Sequence, residues 1–178
     1  MKRFLYIALA LTLAGISSAQ YPPAPRAPDT AVAQPSGSNA DIGFYQQALA
    51  GGVREILLSR QAMSQSASAG VRTLASTMVE DHTTLDRELA EAGKLSEPPP
   101  SAADRKEVAD LQRMSGALFD STYLAAMERD HERAITLFNE TMLHAHELST
   151  RDLATKALDT LHHHLTDIEI QQHRSAGD

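Results

Sequence analysis

The chain has 178 residues, 42% of them hydrophobic but only 4% aromatic, and it contains no Cys and no Trp. Its core must therefore come from Ala, Leu, Ile, Val and Met, and disulfide scaffolds and thiolate metal sites are excluded. The net charge of −7 becomes −9 if Lys2 and Arg3 leave with a leader, which argues against nucleic acid as a partner.

Met1-Lys2-Arg3 is a basic start, the stretch from Phe4 to Ile16 is apolar, and Ser17-Ser18-Ala19 offers the small residues that signal peptidase reads. Residues 1–19 are thus expected to be a signal peptide, too short in its apolar run to span a bilayer. No later segment is apolar enough to cross a membrane, and with such a leader the chain is expected to be exported, to the periplasm, the cell envelope or the exterior. Residues 20–40 hold Pro22, Pro23, Pro25, Pro28 and Pro35 among small residues, the composition of a solvated tether.

From Asp41 the apolar spacing is helical. The first segment carries the stripe Tyr45, Leu49, Val53, Ile56 and Met63, with Asp41 as the expected N-cap. The second, about 71–92, carries Val71, Leu74, Ala75, Met78, His82, Leu85 and Leu89, a core-facing stripe. Gly93 and Pro98-Pro99-Pro100 end it, and Ser101 with Asp104 forms a capping box for a short helix through about Met114. A third long helix, about 117–145, carries Leu124, Met127, His131, Ala134, Phe138 and Met142. A fourth, starting at Ser149 with Asp152 as capping partner, carries Ala154, Ala157, Leu158, Leu161, Leu165 and Ile168. Burying four such faces predicts an all-α four-helix bundle over 41–174, with a polar tail at 175–178. The long second-to-third connection suits either a crossover along the bundle, as in ferritin-like folds, or a plain up-down order.

The informative residues interrupt these stripes. His82 stands between Ala75 and Leu89 at seven-residue spacing, and His131 between Leu124 and Phe138. His164 lies between Leu161 and Ile168, and Glu55 has the small neighbours Ala48, Gly52 and Ala62. Each is near the middle of its helix, with axial offsets agreeing to about 6 Å at 1.5 Å per residue, so all four can share one layer. Buried polar groups without partners cost about 1–3 kcal/mol each, and a Zn, Fe, Mn or Cu ion would satisfy this set.

Glu128-x-x-His131 adds a carboxylate at the spacing used by di-iron bundles. The matching positions before His82 are Met78 and Val79, so a second half would need Asp86 or Asp81. The candidate metal set is Glu55, His82, His131, His164, Glu128 and Asp86. The competing reading is a non-enzymatic envelope or stress module, self-associating or docked on another protein, whose histidines only fix helix register. His163 falls on the polar face, and His144, His146 and His173 lie near helix ends. No Gly-x-Ser-x-Gly elbow is present and the helices are acidic, which leaves hydrolase and membrane-surface readings without support.

The order Glu55, then Val79-Glu80-Asp81-His82-Thr83, then Phe119-Asp120-x-x-Tyr123-Leu124 with His131, then His164-Leu165 resembles the bacterial domain-of-unknown-function (DUF) family 4142. That resemblance implies an exported ferritin-like bundle and marks Glu55, Asp81, His82, Asp130, His131 and His164 as the matching polar positions, without supplying an activity. The chain departs from the family where Thr160-Leu161-His162-His163 replaces a Leu-Pro step before the last His.

Overall fold

The computed structural model describes residues 39–176, which form five helices: α1 (Asn39–Gln65), α2 (Ala69–Gly93), α3 (Ala102–Leu111), α4 (Gly116–His144) and α5 (Leu148–Ala176). The expected leader, most of the tether and the end of the polar tail lie outside the described residues.

Helix ends follow local chemistry. Ser68 caps α2 by accepting the Val71 N–H, and Ser101 and Asp104 form the expected capping box at α3 with both reciprocal bonds present. The left-handed residue that stops α2 is Lys94 (φ 53°), not the preceding glycine. Gly93 is held by packing instead, since a Cβ there would stand 2.8 Å from the Tyr45 ring. Asp41 is a correction to the sequence reading: it sits inside α1, and its carboxylate accepts the backbone N–H groups of His146 and Glu147, 3.1 and 3.0 Å away. It thereby secures the turn into α5, which starts at Leu148 rather than at a Ser149 cap.

Contacts between helix ends give the topology. Tyr45 near the start of α1 meets Gly93 at the end of α2, so these helices are antiparallel. Ser66 after α1 donates to Asp120 at the start of α4, and Asp41 reaches the turn after α4, so α1 and α4 are antiparallel as well. A Cβ on Gly70 would meet Gln171, while Lys156 pairs with Glu88, which runs α5 antiparallel to α2. Residues 94–115 must then carry the chain the length of the bundle, and α3 packs across α1 and α4 on the way. The open choice of topology resolves to a single crossover, the connectivity that ferritin-like bundles use.

The core comes in two parts. One gathers Leu58, Ala62, Val71, Met78, Phe119, Tyr123, Met127 and Ile168 around the end of α1. The other gathers Phe44, Tyr45, Leu49, Leu89, Phe138, Ala154, Leu158 and Leu161 around its start. On α1 Glu55 is buried, as its small neighbours suggested, but the apolar stripe is misplaced: Met63 is 41% exposed, while Leu58 and Ser59 are buried. Reading by hydrophobicity rotated that face because its inward positions include polar residues.

Candidate metal centre

Between the two half-cores lies one polar layer, with one side chain from each long helix. Glu55 (α1), His82 (α2), His131 (α4) and His164 (α5) are each no more than 3% exposed. The rings of the three histidines form a near-equilateral set, with centroids 5.2–5.4 Å apart. His131 Nε2 is 3.4 Å from His82 Nε2 and 3.3 Å from His164 Nδ1.

The outward nitrogens fix the ring orientations. His131 Nδ1 is 3.0 Å from the Met127 carbonyl, which can only accept, so that nitrogen carries the proton and Nε2 presents a lone pair. His82 Nδ1 is 3.1 Å from Glu55 Oε2, and His164 Nε2 is 2.9 Å from Asp81 Oδ2. With those carboxylates accepting, the remaining nitrogens also present lone pairs toward the centre. Three mutually facing acceptors need a proton or a cation among them. A proton is poorly accommodated: burial pushes the His82 pKa down to about 3, helped by His164, and burial likewise pushes His131 down to about 4. Burial also raises the Glu55 pKa, against the pull of His131, His164 and Arg54.

The two spacings from His131 are those of ligands on one metal ion. Imidazole nitrogens about 2.0–2.1 Å from a tetrahedral zinc lie about 3.3–3.4 Å from one another. Among the described residues the three histidines are the cluster of possible ligands with this geometry, their ligand atoms within 4.8 Å of one another. Each also has an outer partner of the kind that orients metal-bound imidazoles, a carboxylate or a backbone carbonyl.

The other sequence candidates fall elsewhere. Glu128 accepts from Gln172 Nε2 at 2.8 Å and is not in the cluster. Asp86 is fully buried and lines a cavity of about 400 Å³ together with Glu55 and His82, but it too stands outside the cluster. Asp81 serves as the partner of His164 while staying 43% exposed. Asp130 pairs with Arg54, which also binds Glu107 of α3, so the crossover is clipped down beside His131. The Arg54 linkage escaped sequence reading, because nothing local in the chain puts α3 next to α1. Ser59 and Tyr123, 2.9 Å apart, close the layer on the side of the first half-core.

Fold and site together define an all-α bundle with a histidine layer of metal-ligand geometry at mid-height. The chain belongs to the DUF4142 family, domain of unknown function, whose model matches residues 26–170. Among solved structures, the crystal structure of a DUF305 fragment from Deinococcus radiodurans is similar, with a TM-score of 0.69 and 17% identity over 79% of this chain and 99% of that one. At that identity the likeness speaks for the fold alone. No curated protein matches. Among the described residues no helix is long and apolar enough to cross a membrane.

Proposed function

We propose that this domain holds one transition-metal ion of the zinc, iron, manganese or copper group through His82, His131 and His164, and that it does so outside the cytoplasm after removal of residues 1–19. The observation that carries the reading is the orientation of the three rings: His131 Nε2 lies 3.4 and 3.3 Å from the inward nitrogens of His82 and His164, all three lie within 4.8 Å of one another, and the outward nitrogens are engaged by Glu55, Met127 and Asp81. Neutral imidazoles with outer-shell acceptors are ready to bind a divalent ion without first losing protons. The basic, apolar and small-residue succession in residues 1–19 supports export.

The test is production of the full chain by export, untagged and without nickel chromatography, with elemental analysis beside a His131→Ala variant. Stoichiometric metal in the parent and none in the variant is the expected result. Added zinc at 100 times its Kd should raise stability by about 2.7 kcal/mol, roughly 9 °C in Tm for a bundle of about 140 residues. Absence of metal, with zinc, iron, manganese and copper all failing to shift the Tm, overturns the reading and leaves the layer as a device for helix register. Mass spectrometry of the exported chain tests cleavage after Ala19.

A further inference from the structure

The cavity beside the histidine layer is not explained by metal binding. Its volume of about 400 Å³ lies within the range of small-molecule sites. It sits among α1, α2 and α4 with α5 reaching it through Leu161, and Leu85, Leu89, Leu137 and Phe138 complete the apolar part of its lining. Asp86 is 0% exposed, and both its carboxylate oxygens lack a hydrogen-bond partner among the described residues.

The protein makes room for this carboxylate at a cost. A Cβ on Gly52 would run into the Asp86 carboxylate, so glycine in the middle of α1 makes room for the side chain opposite and not for any turn. Glycine there gives up helix propensity relative to Ala, and a buried polar group without a partner costs on the order of a lost hydrogen bond. No contact within the described residues offsets either.

We propose that this cavity is a binding site for a small organic amine, its ammonium group held by Asp86 and its short apolar body against the leucines and Phe138. The polarity follows from what faces the carboxylate. Glu55 of α1 shares the cavity wall, and Glu97 of the connection adds negative potential at Asp86. Arg54 is engaged by Asp130 and Glu107, and Arg133 of α4, 68% exposed, leans toward Asp130. An anionic ligand brings no charge that could draw the proton off Asp86, and an alcohol has one donor for the two orphan oxygens. An ammonium has three donors and the complementary charge. Burial, with Glu97 and Glu55, pushes the Asp86 pKa up to about 8, so ammonium binding at pH 7 is accompanied by proton release.

The experiment is calorimetric titration of the full chain with hexylamine, hexanol and hexanoate at pH 7, with chelator present so that the amine cannot ligate a metal, repeated in buffers of different ionisation enthalpy. Hexylamine is expected to bind with proton release, and the alcohol and acid at least about tenfold more weakly, a gap of about 1.4 kcal/mol. Asp86→Asn should lose the amine by at least the same factor, and Ala134→Phe, which fills the cavity while keeping the carboxylate, should abolish binding. Equal affinity for hexylamine and hexanol, undiminished binding by Asp86→Asn or Ala134→Phe, or no binding of the amine up to about 10 mM would each overturn the proposal. Metal content, measured separately, reports on the histidine site and is independent of these outcomes.

Discussion

Replacing Asp86 with Asn should make the protein more stable, and by an amount that grows with pH. The folded state keeps the Asp86 proton up to about pH 8, whereas the unfolded chain releases it near the ordinary value of 3.8. Between those values the unfolded state is favoured by deprotonation, so the carboxyl opposes folding, with no effect at low pH and its full effect above pH 8. Asn has nearly the same shape as the protonated carboxyl and never ionises. Linkage puts the gain at about 2 kcal/mol at pH 5 and about 5 kcal/mol at pH 8. For a domain of about 140 residues that corresponds to roughly 6 °C and roughly 15 °C in Tm. Paired urea and thermal unfolding of parent and variant at the two pH values would read it. A gain that is the same at pH 5 and pH 8, or a variant less stable than the parent at pH 8, would refute the picture of an uncompensated buried carboxyl.

Three further outcomes follow from the same geometry. Gly52→Ala should cost about 1–3 kcal/mol by driving its methyl into Asp86, yet become neutral or favourable by up to about 1 kcal/mol in an Asp86→Ala background; additivity in that double-mutant cycle would show that the two positions do not touch. In metal-free Asp86→Asn protein, stability should fall between pH 7 and pH 5 by about 2 kcal/mol on account of His82 alone. His82 stays neutral in the fold down to about pH 3 while the unfolded chain takes up a proton near 6.5, so its stabilising effect is present above pH 6.5 and lost as pH falls; His82→Gln should flatten that part of the profile in urea titrations. Asp41→Ala should destabilise by about 0.5–2 kcal/mol through the two N–H groups it leaves without their carboxylate, and hydrogen exchange at His146 and Glu147 should rise; unchanged exchange there would remove its assigned role.

The histidine layer was legible because heptad spacing is a strong measure of direction. A His at the centre of an Ala–Leu or Leu–Phe row points where its neighbours point, and counting residues along each helix gave its height. The order of the helices around the bundle was not legible, since each long helix has one apolar face whichever neighbour it meets. The pairing of Arg54 with Asp130 and α3 depends on that order and was therefore out of reach. Glu128 satisfied a motif spacing but meets Gln172, because a position three residues before an inward His can still sit at the interface edge. For Asp86 the chain held a partial clue in Gly52, a glycine with no turn to make, whose meaning appears only when α1 lies against α2.

A metal ion bound at the histidine layer would have a mechanical role alongside the crossover. Helices α1 and α2 form one tightly packed hairpin and α4 and α5 another, with fewer contacts between the pairs than within them. His82 belongs to the first hairpin, and His131 and His164 to the second. An ion shared by the three would act as a rivet through both halves, in parallel with the longer strap of residues 94–115 that the Arg54 cluster clips to the outside. Without such an ion the two hairpins are still joined by the strap and by the two half-cores that α1 and α2 share with α4 and α5.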